Sequence, residues 1–382
     1  VSALGHYTDW IVGHVHGGAL GWNGMLAFGM AYYMIPRLWK TELYSKKMAE
    51  WHFWLALLGV LLYYISMLAA GITQGLMWMA LDSSGKLVYP DFVETVLRIV
   101  PLYWVRALGG GLYLAGFVLM VYNVIKSVKG KAVINGEAQV PARIDLTPSP
   151  EERGHRRLEG IATTFSVLTF ITIAVASIIS IYPILNLQRY LQYDKVVEPW
   201  SPLELAGRDI YVKEGCYVCH SQQIRQLSFD VLRFGPPSTI EESMYDRPHQ
   251  WGSKRTGPDL ARGGKKYPHL WHYRHMLDPR AVVDKSIMPA YPWLVAKDTD
   301  FLSLRRKFSV LHQLGTPYDE KTIANADIIA QKEAKIIAQE LAEQGAPAGL
   351  EKKQIVALVA YLQALGQKAP GKQAPARLGD TE

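Results

Sequence analysis

Cysteine is scarce in this chain: 382 residues contain two, Cys216 and Cys219. A four-thiolate zinc or iron–sulfur site is therefore excluded. Charge is also thin, at 20% of residues, and the net +7 (pI about 9.1) is not gathered into a basic stripe interleaved with aromatics. That speaks against nucleic acid as a partner and leaves membrane topology to explain the charge. No signal peptide is visible, and the chain opens at Val1 without an initiating methionine, a few residues before an apolar run. The expectation is a fragment of a longer protein.

Apolar residues are abundant and unevenly placed, 49% of the chain with 11 tryptophans. Four stretches, about 10–38, 52–79, 103–125 and 158–187, meet the roughly 20-residue requirement for crossing a bilayer. The chain beyond about Arg189 is polar enough to be soluble. Basic residues assign the loops. Arg37, Lys40, Lys46 and Lys47 follow the first stretch, and Lys126, Lys129, Lys131, Arg143, Arg153, Arg156 and Arg157 follow the third. Both loops are expected on the cytoplasmic side, so the fourth stretch would deliver the polar remainder to the outer face. A Gly- and Pro-containing segment, about 131–157, reads as a cytoplasmic linker, and 369–382, rich in Pro, Gly, Lys and Gln, as a disordered tail.

The two cysteines fall in Cys216-Tyr217-Val218-Cys219-His220. Two thiols three positions apart, followed at once by an imidazole, are what covalent attachment of heme c requires, with His220 as the proximal iron ligand. A disulfide or a mixed Cys/His metal site is the alternative for the same residues, and a redox dithiol needs no histidine at that offset. Among the downstream methionines Met244, Met276 and Met288, the last is the best sixth ligand, because Pro289 and Pro292 stiffen its loop. Met276 reads as a core residue. Within Arg255-Thr256-Gly257-Pro258-Asp259-Leu260, the Pro258 carbonyl is placed to accept the other ring N–H of His220.

A second candidate site opens the first apolar stretch, at His14 and His16. At about 100° per residue, positions two apart point to nearly opposite helix faces, so each imidazole would serve a different iron. Gly13, Gly17, Gly18 and Gly21 would leave room for planar rings. The bland alternative is a pair of interfacial histidines satisfied by water or carbonyls. Arg106, before Gly109-Gly110-Gly111, is a candidate partner for heme propionates or an interfacial anchor.

These residues carry a resemblance. Residues 1–130, with Thr8-Asp9-Trp10-Ile11-Val12-Gly13-His14-Val15-His16, resemble the last three helices of the catalytic subunit of cbb3-type cytochrome c oxidase, a heme–copper oxidase. Residues 155–368 resemble the membrane-anchored monoheme cytochrome c subunit of the same oxidase, in Glu214–Gln223, Met244–Pro248, Trp251–Leu260 and Met288–Trp293. The resemblance implies that His14 ligates the high-spin heme b, His16 the low-spin heme b, and His220 with Met288 heme c. It implies partners as well: other oxidase subunits, including a further cytochrome c subunit, a cytochrome c donor and membrane lipid. It places the chain as a multi-pass protein of the bacterial inner membrane, with its cytochrome domain in the periplasm. Copper ligands, the cross-linked tyrosine and the second low-spin-heme histidine of the family lie on earlier helices absent from this sequence, so copper would enter only in the complete complex. The family's subunits are usually separate chains, and this one looks like a fusion.

The expected fold is mainly α: about four transmembrane helices followed by a soluble, all-α class I-like cytochrome c domain. The expected boundaries are 1–130, 131–157, 158–188 for the anchor, 189–368 for the cytochrome and 369–382. Within the cytochrome, 202–214 is expected to run as a helix into the heme motif and 355–365 to pack across it, while 322–344 reads as an exposed amphipathic insert. A nitric oxide reductase-like complex and a membrane-tethered carrier without a catalytic centre are the rival functions.

Overall fold

The computed structural model describes residues 2–132, 154–187 and 197–368. The linker expected at 133–153 and the tail from 369 lie outside them. Helices build the described chain, and no strand occurs among the described residues, only isolated bridges. Two compact units result, with described parts 2–132 plus 197–368, and 154–187.

In the first unit, α1 (Ser2–Gly5) precedes α2 (Asp9–His16), whose N-cap Thr8 accepts from the Trp10 amide. The chain then widens into a π-helical segment, Gly17–Gly24, before α3 (Met25–Leu38). The first expected span is thus helical throughout but made of three pieces. The glycine-rich segment directly after the two histidines takes the wider winding, which is found at functional sites. Next come α4 (Lys46–Met79), capped by Ser45, and α5 (Phe92–Val128), capped by Asp91. Both start earlier than their apolar runs because the caps, not the apolar residues, set the ends. Among the described residues three uninterrupted helices therefore reach spanning length: α4, α5 and Ala162–Pro183.

The crossing of α4 and α5 uses Gly59 and Gly109. A Cβ on either would stand 2.6 Å from the other's carbonyl oxygen, so only glycine allows this approach. A polar clasp holds one end of the bundle: buried Asn123 accepts from the Ser45 amide at 2.9 Å and donates to its carbonyl at 2.8 Å. At the other end, buried Asp9 receives the Tyr103 hydroxyl at 2.6 Å, and its amide donates to Gln74 at 2.7 Å, joining α2, α4 and α5.

The second unit holds α6 (His155–Gly160) and α7 (Ala162–Leu187). Its apolar window is exposed all round, which suits a helix solvated by lipid.

Back in the first unit, α8 (Pro202–Lys213) begins with a Ser201/Glu204 capping box and a proline at its first turn. After α9 (Ser228–Phe234), α10 (His269–Leu277), α11 (Leu304–Gln313), α12 (Glu320–Ala324) and α13 (Ala326–Glu343), the chain closes with α14 (Gln354–Ala364). As expected, α8 and α14 cross, with backbones in contact at Gly207, where a Cβ would lie 1.9 Å from the Ala357 carbonyl oxygen. The segment read as an exposed insert is instead part of the core. Ala326, Ala330, Ala334, Ala338 and Leu341 form one buried stripe of α13. The Glu333 carboxylate accepts from Ser201 Oγ and the Leu203 amide, both at 3.0 Å. Alanines are small enough to leave the helix looking polar in sequence while bringing its backbone close to α8.

Candidate heme sites

The end of α8 delivers the Cys-x-x-Cys-His segment. Gly215, at φ 74°, turns the chain into a single 3-10 turn, Cys216–Val218. The amides of Cys219 and His220 both donate to the Cys216 carbonyl, at 3.1 and 2.9 Å, so both thiols and the imidazole ride on one compact turn. Cys216 packs against the domain core. Burial, followed by the nearby Glu214 charge, pushes its thiol up to about 12.

His220 sits in a cradle. Its Nδ1 lies 2.8 Å from the Pro258 carbonyl. A carbonyl can only accept, so Nδ1 carries the proton and Nε2 keeps its lone pair for an iron. The Gly257 amide donates to the Cys219 carbonyl at 2.9 Å, drawing the 254–260 loop under the ring. A Cβ on Gly257 would come within 2.2 Å of His220 Cε1 and 2.8 Å of Nδ1, so the loop touches the imidazole as only glycine can. Burial lowers the pKa of His220 more than the Pro258 bond and the Asp259 charge raise it, which favours the neutral ring.

The Met288 loop returns to the same place. The Met288 amide donates to Ser286 Oγ at 3.2 Å, the Tyr291 amide to the Met276 carbonyl at 2.7 Å, and Trp293 Nε1 to Glu214, two residues before Cys216, at 2.9 Å. Burial first, then the two cysteines, pushes the Tyr291 hydroxyl up to about 12, so this tyrosine stands near both thiols. Met276 is buried in the core, as its sequence context suggested.

His14 and His16 leave α2 in different directions. His14 is exposed and stacks on Trp10 with centroids 5.2 Å apart. His16 packs on Tyr63 at 4.8 Å, and its Nδ1 lies 2.8 Å from the Val12 carbonyl, which leaves Nε2 available. The neighbouring glycines are mostly not ring clearances. Gly13 abuts Met67 and Leu68, Gly17 abuts Tyr64 and Gly21 faces Val60, all on α4, while Gly18 alone of the four meets open space. Helix packing claims those three because α2 and the π segment lie against α4 on that side. Arg106 lies over the Tyr103 ring at 4.6 Å.

The sequence reading overlooked Gly257 as the floor of the imidazole seat and gave Arg255 no role, although an arginine and an aspartate flanking Gly-Pro carried the signal. Among the described residues no group of three or more His, Cys, Asp or Glu gathers to hold a metal ion. The candidate residues, the His220 imidazole and the Met288 thioether with the two thiols, would instead suit a heme iron.

Fold and site together define a mainly α membrane protein carrying a c-type cytochrome motif. Residues 155–369 match the family described as cytochrome c oxidase, mono-heme subunit/FixO, and the chain belongs to that family. Residues 1–112 match cytochrome c and quinol oxidase polypeptide I. The chain is 53% identical over 131 residues to the cytochrome c oxidase subunit 1 homolog of Agrobacterium tumefaciens (strain T37), covering 34% of this chain and 24% of that protein. It is 51% identical over 144 residues to cytochrome c oxidase subunit 1 of Rhodobacter capsulatus, 37% of this chain and 27% of that one. It is also 44% identical over 130 residues to the cbb3-type cytochrome c oxidase subunit CcoN1 of Stutzerimonas stutzeri, 34% and 27% respectively. The chain thus spans about a quarter of the length of these relatives. It joins a subunit 1-like part of a cbb3-type oxidase to a FixO-type monoheme part.

Proposed function

We propose that this chain is the electron-entry and heme-ligating portion of a cbb3-type terminal oxidase. The observation that carries the reading is the His220 seat: an imidazole with Nδ1 committed to Pro258, on the same turn as two thiols, with the Met288 loop tied back beside it. When bound, heme c and the two b hemes supply the one-electron chemistry that links reduced cytochrome c to the reduction of oxygen to water and to proton translocation.

The chain's own residues bind and orient these groups. Cys216 and Cys219 tether heme c as thioethers. His220 and Met288 hold its iron, with Pro258 fixing the imidazole tautomer. His16 holds the low-spin heme b and His14 the high-spin heme b, on opposite sides of one helix, and Arg106 pairs with a propionate. Copper belongs to helices of the complete enzyme. The partners are the remaining oxidase subunits, including a further cytochrome c subunit, and a cytochrome c donor. The site of action is the bacterial inner membrane, with the cytochrome domain on the periplasmic face.

The test is expression of the full-length oxidase in membranes, with a heme stain on a denaturing gel and reduced-minus-oxidised and carbon monoxide difference spectra. A covalent heme band with c- and b-type signals, the latter shifting with carbon monoxide, is the expected result. A covalent band with c-type absorbance alone would reduce the chain to a tethered cytochrome.

A further inference from the structure

Arg255 is fully buried, and all three of its guanidinium nitrogens donate. Nε donates to Ser221 Oγ at 2.7 Å, Nη1 to both Asp230 oxygens at 3.0 and 3.1 Å, and Nη2 to the Gln223 carbonyl at 2.8 Å and Asp259 Oδ2 at 3.2 Å. The group lies between two aromatic faces, Tyr7 at 4.4 Å and Phe234 at 4.7 Å. Such a fork cannot be reproduced by lysine.

Two facts give this cluster a direction. On one side it reaches the heme c seat: Ser221 follows His220 and its Oγ donates to Asp259, and Asp259 follows Pro258, whose carbonyl accepts from His220 Nδ1. On the other side it reaches the subunit 1-like part. The Arg255 amide donates to the Tyr7 carbonyl at 2.7 Å, the Tyr7 hydroxyl to Gln223 at 2.6 Å, and Arg225 Nη1 to the Ala3 carbonyl at 3.1 Å. Tyr7 is fully buried and holds a left-handed backbone, φ 69°, which a tyrosine keeps only where its surroundings impose it. Seven residues further on is His14.

We infer that Arg255 is a positioning residue for the axial histidine of heme c, and that Tyr7 closes the device, so that the reduction potential of heme c depends on how the entry to the first helix is seated. The inference rests on the heme c reading of Cys216–His220. Arg255 neutralises Asp259 beside the imidazole, and the Tyr7 ring keeps that neutralisation out of water, where it acts at low dielectric. Removing the cation leaves an uncompensated negative charge near the iron, which favours the oxidised heme.

The experiment is redox titration of heme c, with electron paramagnetic resonance of its oxidised form, in membranes carrying the full oxidase with Arg255→Gln, Arg255→Lys, Tyr7→Ala, or Arg255→Gln combined with Tyr7→Ala. In Arg255→Gln the reduced-to-oxidised ratio of heme c at a fixed ambient potential falls by about tenfold, the scale of one buried charge. Arg255→Lys restores most of the ratio but leaves an altered resonance, because the imidazole seat has lost its fork. Tyr7→Ala lowers the ratio in the same direction by about threefold, and combined with Arg255→Gln the two effects are not additive. Tyr7→Ala with a normal heme stain and an unchanged ratio and resonance overturns the coupling, and it decides the matter even if Arg255→Gln yields no heme protein. Absence of a covalent heme band in the unmutated chain would instead sink the heme c reading itself.

Discussion

Gly257→Ala should unseat the axial imidazole while leaving heme c attached. The added Cβ would stand 2.2 Å from His220 Cε1, 2.7 Å from Nε2 and 2.8 Å from Nδ1, all atoms of a ring held by its bond to Pro258. Relief requires the ring or the 254–260 loop to move by about 1 Å, and overpacking of this kind costs about 1–3 kcal/mol. The 2.8 Å bond from Nδ1 to the Pro258 carbonyl would stretch with it, a further loss of about 1 kcal/mol. Together these weaken His220 as a ligand by about 2–4 kcal/mol, on the order of 30- to 1,000-fold. The cysteines are untouched, so the heme stain should persist. The c-type spectrum should gain a high-spin, carbon monoxide-sensitive fraction absent from the unmutated protein. A Gly257→Ala protein whose heme c keeps its potential and ignores carbon monoxide would refute the seat described here.

Four further outcomes follow from other sites. Gly207→Ala drives a Cβ to 1.9 Å from the Ala357 carbonyl and should destabilise the α8–α14 crossing by about 1–3 kcal/mol or more, read as an earlier thermal transition of the heme c spectrum. Burial, then the neighbouring His269 and His275, lowers the pKa of His272 to about 4. Because the unfolded chain takes up that proton near pH 6.5, the contribution of a neutral His272 is complete above pH 6.5 and is lost as pH falls towards 4. The loss is at most about 3 kcal/mol, and the acid-side slope of a denaturation series should flatten in His272→Gln. Met288→Leu should lower the heme c potential and slow oxidation of the donor, whereas His14→Ala should abolish the carbon monoxide-sensitive b-type signal, and turnover surviving in His14→Ala would show that ligand assignment to be wrong.

Much of the molecule was legible in the chain because its signals are local. Spanning helices announce themselves by apolar length, the thiol and imidazole cluster by Cys216, Cys219 and His220 within one turn, and the Pro258 bond by a Gly-Pro segment downstream. Even so, the caps at Ser45 and Asp91 moved helix ends outward from the apolar runs, and a glycine-rich stretch after His16 wound more widely than an even hydropathy pattern suggests.

What the sequence alone determined is the chemistry available and the elements that carry it: which thiols, which imidazoles, and which runs are apolar enough for a membrane. Only the tertiary structure decided which of these meet. The alanine stripe of α13 looked polar until α8 lay against it, and the glycines beside His14 and His16 took their use from α4. Arg255 acquired a role only when Tyr7, 248 positions earlier in the numbering, came to cover it. The reason is physical: periodicity and composition report free energies that depend on neighbours a few residues away, whereas burial of a charge and close backbone approach depend on segments that are distant along the chain.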